Sequence, residues 1–161
     1  MTIRPGSVLF MCNMNSIRSP MAAAMVRHMY GTSIYVRSVG VEGGKTDGFM
    51  VAVMTEIGID VSSHAAKQFF DLGDSNFDVL IALSAKANRY AEELSLTRAI
   101  DIEFWPLQDP SLATGNRDAR LETYRDVRNS IIRRVIDRFG PPDRALFDPV
   151  TEANYPVLRG K

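Results

Sequence analysis

Val8-Leu9-Phe10-Met11-Cys12-Asn13-Met14-Asn15-Ser16-Ile17-Arg18-Ser19-Pro20 is the stretch from which the fold can be read. Val8 to Met11 is the short apolar run of a buried strand. Ser19-Pro20 leading into Met21-Ala22-Ala23-Ala24-Met25 predicts a helix entered with proline in its first turn. The six residues from Asn13 to Arg18 join the two. A loop so short, curling from strand into helix, turns several backbone N–H groups and the positive end of the helix dipole toward one point, which makes an anion site. Cys12 stands at its lip.

The residue types at this spacing carry a chemistry. A thiol at the mouth of a helix beside a guanidinium is favoured as its thiolate, so Cys12 is the predicted nucleophile. Arg18 closes the loop, and its planar fork holds two oxygens of a phosphate at once. Asn15 suits a left-handed turn, and the Ser19 hydroxyl is placed to donate to the thiolate. The predicted phosphate-binding set is therefore Asn13, Met14, Asn15, Ser16, Ile17, Arg18 and Ser19.

Cys12-x-x-Asn15-x-x-Arg18-Ser19-Pro20 resembles the signature of the low-molecular-weight protein tyrosine phosphatases and their arsenate reductase relatives, usually Cys-x-Gly-Asn-x-Cys-Arg-Ser-Pro. Met14 stands where the family usually has glycine, and Ile17 where many members carry a second cysteine. The resemblance covers about Ser7 to Phe139. It implies an α/β three-layer sandwich with a central four-stranded parallel sheet and helices on both faces, and turnover through a phosphocysteine. No metal or other cofactor is expected, because Arg18 and the loop amides supply the positive charge that a phosphoryl group meets elsewhere as magnesium.

The rest of the chain reads consistently with such a sandwich. Ile34 to Val36, running on to Gly40, is the second predicted strand; Phe77 to Leu83 is the third and Ala99 to Trp105 the fourth. Between them, helices are predicted from Thr46 to the Gly58 stop and, capped by Ser84, over Ala85 to Leu94. Leu121, Tyr124, Val127, Ile131, Val135 and Ile136 make the apolar stripe of a last long helix ended by Gly140-Pro141-Pro142. Its arginines, Arg120, Arg125, Arg128, Arg133, Arg134 and Arg138, are expected on a solvated face. His64 and His28 are read as structural. Residues 1–140 form one expected domain, and 141–161 a proline-containing C-terminal appendage.

Totals narrow the function. The 161 residues carry 19 basic and 19 acidic side chains, a formal net charge of zero, which gives no electrostatic footprint for nucleic acid or an anionic membrane. No apolar run approaches a membrane span and Met1 to Ser7 lacks the build of a secretory signal, so a cytoplasmic location is expected. One cysteine allows no internal disulfide. With Ile17 in the loop, peroxide is expected to take Cys12 to sulfenic acid and onward without an intraloop disulfide to protect it.

Expulsion of an alkoxide or phenoxide needs a proton donor, and a carboxyl group held before a proline on the loop after the fourth strand suits that work. Pro106-Leu107-Gln108-Asp109-Pro110 supplies one, and the family resemblance implies the same role for Asp109. Asp148-Pro149, without a preceding strand, is the weaker candidate. The expected activity is phosphomonoester hydrolysis, on a phosphorylated protein or a small aryl phosphate, with Cys12, Arg18 and Asp109 catalytic. Two alternatives stay open. One is arsenate reduction using an external thiol, since the chain has no further cysteine to relay a disulfide. The other is a non-catalytic module binding phosphate or phosphoproteins. Met14 bears on the latter, because a side chain at a position requiring positive φ would distort the loop.

Overall fold

The computed structural model describes residues 3–73, 76–148 and 153–154. Four strands, β1 (Ser7–Cys12), β2 (Tyr35–Gly40), β3 (Val79–Ala82) and β4 (Asp101–Phe104), pair in parallel in the order β2-β1-β3-β4. The helices are α1 (Arg18–Tyr30), α2 (Gly48–Thr55), α3 (Ala85–Ser95) and α4 (Arg117–Phe139). Cys12 lies opposite Gly40, Met11 opposite Ala82 and Ala82 opposite Phe104, so the C-terminal ends of all four strands meet at one edge. In open parallel sheets this edge receives the ligand.

The alternation of β1 explains the layers. Val8, Phe10 and Cys12 point into a core shared with α1, α2 and α4, while Leu9 and Met11 point into a second core built with α3. Strand side chains alternate faces, so a strand apolar at every position must be covered on both. Each fully buried large apolar side chain contributes about 1.5–3 kcal/mol. Phe10 meets Trp105 edge-on, with ring centroids 5.7 Å apart. β4, one of the two sheet edges, is only partly buried, and its regular pairing covers Asp101–Phe104 within the longer predicted stretch Ala99 to Trp105.

The helix starts follow local chemistry. Asp47 accepts from the Phe49 and Met50 amides, Ser84 from Ala87 and Asn116 from Ala119, each satisfying amide donors that the helix leaves open. The second helix therefore begins at Gly48, with Asp47 as its cap, and not at Thr46. Its regular part ends at Thr55, and Gly58 takes its left-handed φ of 82° in the turn beyond. Gly140, at φ 91°, ends α4.

Three of the α4 arginines, Arg125, Arg128 and Arg138, are a correction, whereas Arg133 is exposed as expected. Arg128 is 5% exposed, and its Nη1 donates to Val53 O at 2.8 Å and to Glu56 Oε1 at 2.7 Å. Arg125 forks onto the same Glu56, and Arg138 reaches Glu103 on β4 at 2.7 Å. The helical period alone cannot reveal this, because Glu56 arrives from the end of α2. Burial would raise the Glu56 carboxyl, but the hydrogen bonds from Arg125 and Arg128 outweigh it and hold Glu56 below its ordinary value.

The beginning of the appendage is seated on α1. The Asp143 and Arg144 amides donate to Met29 O, and Leu146 is fully buried. Phe147–Asp148 pairs antiparallel with Ala153–Asn154. Pro149, the proline of the second Asp-Pro pair, and Pro156 lie outside the described residues. No helix among the described residues is long and apolar enough to cross a membrane.

Candidate active site

Within the loop between β1 and α1, Asn15 makes the most side-chain hydrogen bonds with the rest of the fold. Asn15 is fully buried and is the only described non-glycine residue at positive φ, 55°. Its Nδ2 donates to Ser19 Oγ at 2.8 Å and to Ser38 Oγ at 3.0 Å, while its Oδ1 accepts from the Lys67 amide at 3.0 Å. Its carbonyl faces His64 Nε2 at 2.8 Å. Three separate segments thus lock a single left-handed turn. Asparagine tolerates that conformation better than most residues, so the strain falls where it is cheapest.

Met14, beside it, carries no positive φ, so its side chain imposes no backbone strain. It is 41% exposed on the rim.

A cavity of about 290 Å³ opens over the loop, lined by Cys12, Asn13, Met14, Ser16, Ile17 and Arg18 of the loop and by Asp109 and Ser111 across it; Lys45, Asp47 and Lys86 complete the wall. Asn15 and Ser19 belong to the predicted binding set but do not line this space; they hold it from behind. α1 has neither a side-chain cap nor an acidic residue in its first turn. Its first amides are therefore unclaimed by side chains, a state suited to an anion.

Cys12 is 2% exposed and its Sγ lies 2.9 Å from Ser19 Oγ. The Ser19 hydroxyl is also 3.2 Å from Val39 O. It has one proton and two takers. When sulfur is a thiol, S–H can donate to Ser19 and Ser19 to Val39; when sulfur is a thiolate, the Ser19 proton can turn to it. Arg18 Nη1 donates to Leu107 O at 3.0 Å, which fixes the plane of the guanidinium, and its Nη2 lies 3.9 Å from Asp109 Oδ2. Asp109 caps a 3-10 turn, Pro110–Leu112, its Oδ1 accepting from the Ser111 amide and hydroxyl. Oδ2 is left facing the arginine. The structure therefore brings Cys12, Arg18 and Asp109 around one cavity.

Several residues of the site escaped the sequence reading. Gly40 ends β2 beneath the loop, where a Cβ would stand 2.5 Å from Glu42 O and 2.7 Å from Asn15 N and Met14 C. Nothing but glycine fits. Ser84, besides capping α3, donates to Asn13 Oδ1 at 2.6 Å. Asp47 accepts from Tyr124 Oη at 2.9 Å, tying α2 and α4 to the cavity wall; burial and this bond push the Tyr124 phenol up. An aspartate just before an apolar helical run was the available signal for Asp47. His64, read as structural, is half-buried against the loop, and burial, then Lys67 and Arg27, push its pKa down. Among the described residues, no group of three or more His, Cys, Asp or Glu side chains could hold a metal ion.

The model of the family described as "Low molecular weight phosphotyrosine protein phosphatase" matches residues 7–138. The chain belongs to that family. Among curated relatives, it is 31% identical over 128 residues to a glutaredoxin arsenate reductase of Synechocystis sp., covering 80% of this chain and 92% of that protein. It is 29% identical over 133 residues to an arsenate reductase of Bacillus subtilis, at 80% and 91% coverage. Among solved structures, an arsenate reductase in the phosphate-binding state superposes with TM-score 0.68 at 29% identity, over 84% of this chain and 95% of that one. A low-molecular-weight protein tyrosine phosphatase from T. tengcongensis gives 0.65 at 25% identity, over 82% and 95%. The four-stranded parallel sheet with helices on both faces is thus that of the family, whose members fall into phosphatases and arsenate reductases.

Proposed function

We propose that the protein hydrolyses phosphomonoesters through a phosphocysteine on Cys12. The observation that carries this reading is the placement of Cys12, Arg18 and Asp109 around one cavity in a chain with a single cysteine. The Cys12 thiolate attacks phosphorus, the ester oxygen leaves with the proton of Asp109, and Arg18 with the loop amides holds the equatorial oxygens. Water then attacks the phosphocysteine, giving its proton to the Asp109 carboxylate, and phosphate departs with the thiolate restored. Ser111-Leu112 follows Asp109-Pro110, where the phosphatases this chain resembles often carry paired tyrosines, so small aryl phosphates are proposed alongside phosphotyrosine proteins.

A second reading is favoured by the arsenate reductases among its relatives. In it, Cys12 attacks arsenate, an external thiol attacks the Cys12 sulfur to release arsenite, and a second thiol resolves the mixed disulfide. The chain has no second cysteine with which to do this alone. Both readings are tested by one experiment: aryl phosphate hydrolysis at mildly acidic pH, beside arsenate reduction with glutathione and glutaredoxin, on the wild type and Cys12→Ser. Hydrolysis that falls to background in Cys12→Ser, with phosphate still bound, is the expected result. Thiol-dependent arsenite formation without hydrolysis would replace the first reading with the second, and binding with neither activity would make this a phosphate-binding module.

A further inference from the structure

A second cleft, of about 600 Å³, opens between α1, β2 and residues 58–67, and shares no lining residue with the Cys12 cavity. Its wall carries Arg27, Arg37, Lys67 and Arg144 against one carboxylate, Asp60, and includes His28 and His64. In a chain of zero formal net charge this is a marked local accumulation. Among the described residues, none of the four cations is in an ion pair. Arg27 donates to Val36 O at 3.0 Å and Arg37 to Tyr35 Oη at 3.0 Å, so each guanidinium is anchored by one nitrogen and keeps other N–H donors. The charges also feel one another: burial and then Arg37 push the Arg27 pKa down. Like charges held close repel, and an anion seated among them is attracted to each, which offsets that repulsion.

We propose that this cleft is a second anion-binding site, separate from the Cys12 loop, for a small phosphate compound carrying at least two negative charges. Forked guanidiniums recognise phosphate oxygens in pairs, and three of the four cations are arginines. The volume, about twice that of the Cys12 cavity, falls within the 300–1,000 Å³ or so of small-molecule sites. The cleft is also wired to the loop. His64 Nε2 meets Asn15 O and the Lys67 amide donates to Asn15 Oδ1, so two residues of the cleft wall hold the loop's left-handed residue.

Calorimetric titration with inorganic pyrophosphate tests the site. Wild type is expected to take up two equivalents, Arg18→Ala one and Arg37→Glu/Arg144→Glu one, and the combined triple variant none. The neutral pair Arg37→Gln/Arg144→Gln should weaken the cleft at least tenfold, and high salt should weaken it further. Retained melting temperature and orthophosphate binding at the Cys12 loop show that each cleft variant is folded. A single equivalent in wild type that Arg18→Ala abolishes would overturn the proposal. So would cleft affinity that stays within twofold after charge reversal at Arg37 and Arg144.

Discussion

Asn15 and Asp109 sit on opposite sides of one cavity and are held in opposite ways. Asn15 is fully buried, gives its side chain to Ser19, Ser38 and Lys67, and offers its carbonyl to His64. Among the described residues, Asp109 is tied to its near neighbours, its side chain to Ser111 and its carbonyl to the Leu112 amide, and it approaches Arg18 at 3.9 Å with its side chain 28% exposed. The loop that would hold an oxyanion is over-determined by three distant segments, whereas the carboxyl that would move a proton stands on a short, locally braced arm. In the proposed reaction, such a division would let the reacting anion be gripped in one geometry while the arm and its neighbours vary with the leaving group.

The contrast can be broken from either side. The largest effect is expected for Asp109→Asn: kcat on an alkyl phosphate should fall about 10³-fold, and much less on a nitrophenyl ester that leaves without a proton. Steady-state kinetics on the two esters checks this, and equal losses on both would mean that Asp109 acts by position and not by proton transfer. Next comes the rigid side. Gly40→Ala drives a Cβ into Glu42 O, Asn15 N and Met14 C, and a loop displaced by about an ångström should lose about 10²-fold in turnover together with phosphate affinity. A variant that keeps its phosphate affinity would show the loop to be less tightly determined than its hydrogen bonds suggest.

A smaller effect lies away from the cavity, in the Glu56 cluster. Because Glu56 is held below its ordinary value of 4.5 when folded, its contribution to stability is fully present above that value and is lost as pH falls through the lower, folded one. Glu56→Gln should therefore cost about 2 kcal/mol near neutrality, where it leaves buried Arg128 without its charge partner, and progressively less in acid. Denaturant melts of both proteins across pH 3–7 measure it, with convergence at the acid end as the expected signature. Smallest is His64→Ala, which removes one bond among the four on Asn15. Phosphate affinity should weaken about fivefold, the worth of a single hydrogen bond near 1 kcal/mol, as read by calorimetry.

The same contrast explains what could be read in the sequence. Cys12 ends β1, Arg18 begins α1 and Asp109 follows β4, and the order of these elements along the chain already places the three at one sheet edge, so their meeting was legible from β1, β4 and the turn residues alone. Gly40 and Ser84 were legible only as the end of a strand and the cap of a helix, because their second task is to touch residues 13–15 from elsewhere in the chain. The arginines of α4 misled for a related reason: a 3.6-residue period says which face is apolar, but nothing in it announces that Glu56 waits opposite Arg125 and Arg128. Met14 was a concern only while the position of the left-handed residue was unknown, and that residue is Asn15.

The loop's dependence on remote partners also bears on how the protein folds. Its geometry depends on β2, residues 64–67 and the start of α3 all being docked, so the site belongs to the folded state and is absent from the unfolded one. An oxyanion bound there would consequently act as a folding ligand: at a hundred times its dissociation constant it would add about 2.7 kcal/mol to the native state.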